Sequence, residues 1–289
     1  MTVPRLTAVD FRRPAEAGRT RPLVLLGPSL GTAAQPLWQR TADRLADDLD
    51  LIAWDLPGHG TSAPHVEPLS MADLAAAVLD LVDRTLPGAD SHGPVGYAGV
   101  SVGGAAGLQL LLDAPHRFHA AAILCSGARI GDPTAWRERA ATVRAAGTPV
   151  MVTGSAQRWF GPGFLAREAP TATALLSSLQ HADRFSYARV CEALAAFDVR
   201  DRLGEITTPV LAVAGAADQV APIGLAREVA ERVRDGRAVE LPGVAHLAPA
   251  EDPGATAALL RDLFLTPAVP SGNPGVAGAA QNATGDDDD

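Results

Sequence analysis

The stretch that most constrains this chain is residues 97–104, in which one serine lies between two glycines in the pattern Gly99-x-Ser101-x-Gly103. An apolar run precedes the serine and a run of small residues follows it, an order that predicts a strand, a sharp turn and a helix. Glycines suit both flanking positions because a side chain there would collide with the strand or helix backbone. We expect Ser101 Oγ to stand above the sheet edge, with Val102 N–H at a helix N-terminus where it can stabilise negative charge. The alternative is that Ser101 only caps the helix.

Short apolar runs alternate with helix-compatible segments through the first half of the chain. The predicted strands are 6–11, 22–26, 51–54, 94–100 and 120–125, and the predicted helices are 37–49, 71–86 and 105–112. Ser70 and Asp73 have the spacing of a capping box for the second helix. This alternation predicts an α/β fold with a doubly wound, mostly parallel sheet.

The alternation stops after residue 126. Residues 127–202 contain mainly helical segments, which we interpret as an inserted helical cap. Predicted strands return at 210–214 and 238–241, with a helix at 226–233 between them and a last helix at 255–265. We therefore expect a core formed by 1–126 and 203–265, a cap formed by 127–202, and an acidic tail or linker, 266–289, whose Pro, Gly, Asn and Asp content predicts disorder.

Composition disfavours several classes of function. The chain of 289 residues has a formal net charge of −9 and is 47% hydrophobic, which disfavours binding to nucleic acid or to an anionic membrane. Its two cysteines, Cys125 and Cys191, have neither metal-ligand spacing nor the pattern of a disulfide framework. We see no signal peptide and no apolar run of membrane-spanning length. We expect a cytoplasmic protein that needs no metal.

A serine hydroxyl needs a base to become nucleophilic, and the base needs an orienting partner. Such groups follow strands at the carboxyl edge of a doubly wound sheet. Asp218 follows the predicted strand 210–214, and His246 follows 238–241. The chain order Ser101, Asp218, His246 is the one that the serine turn predicts for this kind of sheet. These three residues are our candidate catalytic triad.

Other polar residues are weaker candidates for these roles. Asp198 and Asp201 are interpreted as helix caps, and His59 as a residue that holds a loop rich in glycine and proline. Ser126 also ends a predicted strand but lacks the glycine before it. An oxyanion needs a second N–H donor beside Val102, and Leu30, in the loop 27–32, is our candidate; the alternative is that this loop is an ordinary turn.

With these residues placed, residues 6–265 resemble the α/β-hydrolase superfamily. The loop 55–62 looks like the Asp-x-x-Gly-x-Gly-x-Ser segment of that superfamily, which does not take part in catalysis. Within that superfamily the chain is most similar to the 3-oxoadipate enol-lactonases. The stretches that carry the likeness are Ser29-Leu30-Gly31-Thr32, residues 125–131 with Trp136, residues 158–160 and residues 186–194. Pro28 and Val102 depart from the pattern, which has Asn and Met there.

The resemblance implies an α/β-hydrolase fold with an inserted helical cap and hydrolysis of 3-oxoadipate enol-lactone in the β-ketoadipate pathway of aromatic breakdown, without a cofactor. Some relatives are fused C-terminally to a carboxymuconolactone decarboxylase, for which the tail would be a suitable linker. The free carboxylate of such a substrate calls for a cation. Arg129 is our first candidate and Arg158 our second, the alternative being that they are surface residues. Trp136 and Trp159 would line the pocket, unless they only pack the cap.

Two other functions remain open on the sequence alone. A generic carboxylesterase or cofactor-free perhydrolase would share the triad and differ mainly in its cap. A ligand receptor with slow turnover would share the fold. A haloalkane dehalogenase is disfavoured because its chemistry uses an aspartate where this chain has Ser101.

Overall fold

The computed structural model describes residues 3–14, 20–85 and 94–266. Its centre is a sheet of seven strands. They are β1 (Ala8–Asp10), β2 (Leu23–Gly27), β3 (Asp50–Trp54), β4 (Val95–Val100), β5 (Phe118–Leu124), β6 (Val210–Gly215) and β7 (Gly236–Leu241). Their spatial order is β1-β3-β2-β4-β5-β6-β7.

All strand pairings are parallel except that of β1 with β3. The central strand β4 is buried along its whole length, as expected for a parallel strand covered on both faces. Because β4, β5, β6 and β7 are adjacent and parallel, their carboxyl ends meet at one edge of the sheet. The loops that follow these strands are thereby brought together, and the predicted mostly parallel sheet is confirmed.

Helices cover both faces of the sheet. Within the core they are α1 (Ala34–Leu45), α2 (Met71–Thr85), α3 (Val102–Asp113), α9 (Ile223–Arg232), α10 (Ala248–Glu251) and α11 (Pro253–Leu265). The predicted capping box before α2 is confirmed, since Asp73 Oδ2 accepts the Ser70 N–H at 2.9 Å and Ser70 Oγ accepts the Asp73 N–H at 3.1 Å. Between residues 127 and 202, all of which the structure describes, there are helices but no strand. These helices are α4 (Pro133–Ala146), α5 (Val152–Trp159), α6 (Phe164–Arg167), α7 (Ala169–His181) and α8 (Arg184–Ala196).

Several helices begin earlier than their local sequence predicts. Helix α1 begins at Ala34, three residues before the predicted start, because Asp55 Oδ1 accepts the Ala34 N–H at 2.7 Å from a distant loop. Helix α11 begins at Pro253 because proline fits the first turn and Asp252 accepts the Ala255 N–H at 2.9 Å.

Strand β5 ends at Leu124 instead of residue 125, since Cys125 has a φ of 48°.

The apolar side chains form one contiguous buried cluster that extends from the sheet into the helices between residues 133 and 196. No helix in the described ranges is long and apolar enough to span a bilayer. The predicted disordered tail lies, from residue 267 onward, outside the described residues.

Candidate active site

Ser101 lies in a backbone conformation that few residues adopt. It directly follows β4, with φ of 55° and ψ of −116°, and its side chain makes no capping hydrogen bond to α3. The Ser101 N–H donates to Leu124 O at 2.9 Å, and its carbonyl accepts the Ser126 hydroxyl at 2.7 Å. Ser126 therefore holds the turn, while the Ser101 hydroxyl is not committed to the helix. The capping alternative is wrong.

The glycines on both sides of Ser101 make the turn sterically possible. A Cβ at Gly103 would lie 2.6 Å from Pro28 O, and a Cβ at Gly99 would collide with the Gly103 carbonyl. The Gly103 N–H donates to Pro28 O at 3.0 Å. The loop after β2 is thus held against the start of α3 by a direct backbone hydrogen bond.

That contact brings the two candidate oxyanion donors to the same region. Ser29 and Thr32 close a tight turn, in which the Thr32 N–H donates to Ser29 O at 3.1 Å and Thr32 Oγ1 accepts the Ser29 N–H at 3.1 Å. Leu30 lies at the tip of this turn. Within the described ranges, the N–H groups of Leu30 and Val102 have no hydrogen-bond acceptor, so both remain available to a ligand.

His246 and Asp218 form a buried pair. His246 Nδ1 lies 2.8 Å from Asp218 Oδ2, and the two residues are only 3% and 5% exposed. Asp218 Oδ1 accepts the N–H groups of Val220 at 2.8 Å and Ala221 at 3.0 Å. An ionised carboxylate only accepts hydrogen bonds, so Nδ1 carries the proton and Nε2 is left as the acceptor. This is the tautomer that a general base requires.

The surroundings of Asp218 keep it ionised. Burial by itself raises the pKa of the carboxyl, but the charge and hydrogen bond of His246, together with two backbone N–H groups, outweigh burial. The pKa of Asp218 therefore lies below its ordinary value of 3.8. The carboxylate is charged throughout the neutral range and can stabilise an imidazolium beside it.

Helix α5 ends directly against the loop that carries His246. The His246 N–H donates to Trp159 O at 3.2 Å, and Trp159 is 5% exposed. A Cβ at Gly31 would lie 3.3 Å from the indole ring of Trp159, so the ring packs on the turn that carries Leu30. Trp159 thus contacts both the base loop and the candidate oxyanion loop.

A cavity of about 250 Å³ opens beside the loop of Asp218. Its wall consists of Gly131, Asp132, Ala135, Trp136, Arg139, Arg158, Gln219 and Val220. The Arg139 guanidinium carbon lies 5.0 Å from the centre of the Trp136 ring. Asp132 is engaged elsewhere, because its Oδ1 accepts the N–H groups of Thr134 and Ala135 at 2.8 and 3.1 Å as the N-cap of α4.

Arg139 and Arg158 share this wall without a carboxylate partner among residues 3–14, 20–85 and 94–266. Burial and the positive charge of Arg139 lower the pKa of the Arg158 guanidinium, an effect that Tyr187 only partly opposes. Two neighbouring arginines that form no ion pair in the described ranges are the arrangement expected where an anionic ligand binds.

Comparison with known proteins identifies the family of this chain. The family model Hydrolase_4, described as serine aminopeptidase S33, matches residues 37–253. The 3-oxoadipate enol-lactonase 2 of Acinetobacter baylyi is 33% identical over 236 residues, which are 81% of this chain and 85% of the relative. The chain belongs to the α/β-hydrolase family. The family and these relatives support a hydrolase function.

Two further matches each cover most of this α/β-hydrolase. The 3-oxoadipate enol-lactonase 1 of Acinetobacter baylyi is 32% identical over 202 residues, 70% of this chain and 73% of the relative. The crystal structure of the enol-lactonase from Burkholderia xenovorans LB400 superposes with a TM-score of 0.82 at 28% identity, covering 90% of this chain and 96% of that one.

The predicted binding residues are distributed unevenly in this α/β-hydrolase. Trp136 and Arg158 line the cavity, and Trp159 lies between the loops of the candidate triad and oxyanion donors. Arg129 is half-buried and is not part of the cavity wall. It lies instead near Asp132 and Asp198, whose pKa values it helps to lower. The structure therefore brings Arg158, and not Arg129, to the cavity.

Sequence reasoning missed two residues of this region. Arg139 follows Trp136 by three positions on α4, a spacing that puts both on one helix face, but without the cap structure nothing distinguishes it from other arginines. Glu251 lies five residues after His246 and is 9% exposed; its burial is visible only in the fold. In the described ranges no cluster of three or more His, Cys, Asp or Glu side chains could hold a metal ion.

Proposed function

We propose that this α/β-hydrolase opens 3-oxoadipate enol-lactone to 3-oxoadipate, with Ser101, His246 and Asp218 as its catalytic triad. The observation that carries the proposal is the pair Arg139 and Arg158 on the cavity wall beside the Asp218 loop. The enol-lactone has both an ester bond for the triad and a free carboxylate for the arginines. A carboxylate buried without a cation is costly, and hydrogen bonds to charged groups contribute about 1.5–3 kcal/mol each.

The first half of the reaction forms an acyl-enzyme. Ser101 Oγ attacks the ring carbonyl carbon while its proton passes to His246 Nε2, and Asp218 stabilises the imidazolium. The Leu30 and Val102 N–H groups would hold the tetrahedral oxyanion, each contributing about 3–4 kcal/mol by analogy with other oxyanion holes. The ring C–O bond then breaks. The enol oxygen takes the proton from His246, and the enol, still attached through the acyl chain, tautomerises to a ketone.

The second half releases the product. A water molecule attacks the acyl carbon while His246 Nε2 accepts its proton, and the same oxyanion donors stabilise the second tetrahedral intermediate. When this collapses, Ser101 Oγ leaves and recovers its proton from His246. The product is 3-oxoadipate with two carboxylates, one of them newly formed. Ser101 and His246 end in their starting protonation states, and the new carboxyl group releases the second proton of the water to solvent, so this sequence of steps needs no cofactor.

The deciding experiment compares two substrates with wild-type protein and Ser101→Ala. Hydrolysis of 3-oxoadipate enol-lactone is followed by loss of its ultraviolet absorbance, in parallel with hydrolysis of p-nitrophenyl acetate. We expect fast lactone turnover that disappears in the variant, with weak acetate activity. Good acetate hydrolysis without lactone turnover would reject the lactonase and favour a generic carboxylesterase. Lactone binding without turnover of either substrate would favour a receptor.

The arginine pair is tested separately by substitution. Arg158→Ala and Arg139→Ala should each raise KM for the lactone by about 10- to 100-fold, the effect of one lost hydrogen bond to a charged group. The neutral acetate ester should be hydrolysed as before, because it has no carboxylate to bind. Arg137→Ala is the matched control, since Arg137 belongs to the same helix but is exposed and is not part of the cavity wall. Equal loss with both substrates would contradict carboxylate recognition.

A further inference from the structure

Glu251 is a buried acid that the proposed chemistry does not use. It ends the short helix α10, five residues after His246, and is 9% exposed. Glu251 has no arginine or histidine within ion-pair distance in the described ranges. A buried carboxylate without a salt-bridge partner is expensive unless hydrogen bonds satisfy both oxygens, and so its hydrogen bonds indicate what it does.

The hydrogen bonds of Glu251 surround the candidate base. Oε1 accepts the Ala245 N–H and the Leu247 N–H, each at 3.0 Å. These are the residues immediately before and after His246, so one carboxylate oxygen fixes the backbone on both sides of the imidazole. Ala245 is held on its other side as well, because Cys125 Sγ donates to Ala245 O at 3.5 Å.

The second carboxylate oxygen reaches a different part of the molecule. Oε2 accepts the Gly161 N–H at 2.6 Å, two residues after Trp159, whose carbonyl accepts the His246 N–H. A Cβ at Gly161 would collide with Gly243 O, which shows how closely this segment approaches the histidine loop. Residues 159–161 and the histidine loop are therefore joined by two hydrogen bonds, one of them through Glu251.

We infer that Glu251 is a positioning residue that fixes His246 for proton transfer and at the same time fastens residues 159–161, at the end of α5, to the histidine loop. The inference rests on the proposed function in that His246 is taken as the base. As a consequence, the orientation of His246 and the position of residues 159–161 depend on each other. A substitution that displaces either one should also displace the other, because both are bound to the Glu251 carboxylate.

The electrostatic environment supports this role. Burial raises the pKa of Glu251, the three N–H groups and the His246 charge oppose the rise, and the pKa remains above its ordinary value. The carboxylate thus interacts favourably with a positive His246 without touching it. Asp218 contacts the imidazole directly, whereas Glu251 acts through the backbone that carries it.

The test is a double-mutant cycle with p-nitrophenyl acetate as the substrate. In Glu251→Gln the single amide oxygen can no longer accept all three N–H groups, and the amide NH₂ faces another donor. Gly161→Ala separates the same segments without altering the carboxylate. We expect each variant to lower kcat by about 10- to 100-fold, the size of effect that a misplacement near 1 Å produces, while KM changes by less than about threefold, because this neutral ester does not use the cap arginines.

Because both variants break the same link, the double variant should be no slower than the worse single variant by more than about threefold. Thr41→Val is the matched control: Thr41 Oγ1 donates to Pro249 O at 2.8 Å, a buried bond to the same helix that does not reach the histidine loop. It should lower Tm and leave kcat unchanged. Multiplicative losses in the double variant, or unchanged kcat in Glu251→Gln, would overturn the inference.

The following outcomes keep the inference separate from the proposed function. If Glu251→Gln does not fold, Gly161→Ala alone carries the test, and an unchanged kcat in that variant rejects the coupling. If Ser101→Ala retains acetate activity, the proposed triad is rejected, whatever the cycle gives. If Ser101→Ala is inactive and the cycle is multiplicative, the triad stands and the role of Glu251 does not.

Discussion

At the scale of single residues, hydrogen bonds hold Asp218, His246 and Ser101 in place and leave His246 Nε2 and the Ser101 hydroxyl without a partner among the described residues. Asp218 uses both oxygens, one for His246 and one for two backbone N–H groups. The imidazole is thereby fixed with Nδ1 protonated, and Nε2 is left as the hydrogen-bond acceptor. Ser101 is held through its N–H and carbonyl, so its hydroxyl is likewise left for chemistry.

Asp218→Asn tests the tautomer argument. An asparagine can donate its amide hydrogen to Nδ1, which moves the imidazole proton to Nε2 and removes the base. We expect kcat to fall by about 10³- to 10⁴-fold, as for the equivalent change in a serine protease, with little change in fold. The measurement is steady-state hydrolysis together with far-ultraviolet circular dichroism. A loss below tenfold would show that the carboxylate does not set the tautomer.

The lowered pKa of Asp218 also has a consequence for stability. A carboxyl whose pKa is lower in the folded than in the unfolded state stabilises the fold above its unfolded value and loses that contribution as pH falls through the folded value. We therefore expect wild-type protein to lose stability below about pH 3.8, and Asp218→Asn to lose less over the same interval. Urea denaturation across this range gives the difference. Parallel curves for the two proteins would contradict the assigned shift.

At the scale of elements, the turn between β4 and α3 is the part best predicted from sequence. Its glycines and serine are neighbours in the chain, and their steric reason is local. The start of α1 could not be predicted in this way, since its cap is Asp55 in a distant loop. Arg139 could not be selected either, because its importance comes from the cavity wall that it shares with Arg158 of α5, a residue 19 positions further along the chain.

Gly103→Ala tests the close packing of this turn. Its Cβ would lie 2.6 Å from Pro28 O, so the loop that carries Leu30 must move away from α3. We expect both Tm and kcat to fall, because the two candidate oxyanion donors separate. Gly224→Ala, on α9, is the matched control: a Cβ there meets nothing within 4 Å, so alanine should stabilise the helix by about 0.4–1 kcal/mol and leave kcat as it was. Equal effects of the two substitutions would contradict the steric argument.

At the scale of the whole molecule, the division into a core and a cap of residues 127–202 is still a prediction. The structure adds that one contiguous apolar cluster extends through both parts. Hydrogen bonds also join them, among them Gly161 N–H to Glu251 and Asp183 N–H to Gly58 O at 2.8 Å. The sequence predicts the segment but not its attachment, since these contacts join residues far apart in the chain.

Because the apolar cluster is continuous, we expect core and cap to unfold together in one transition. The two free cysteines report on this directly, since both are buried, Cys125 after β5 and Cys191 on α8. Burial raises the pKa of Cys191 to about 12 and also raises that of Cys125, so neither thiol should react with a disulfide reagent in the native state. In denaturant, both should become reactive with the same midpoint. Labelling of Cys191 well before Cys125 would instead show that the cap opens as an independent unit.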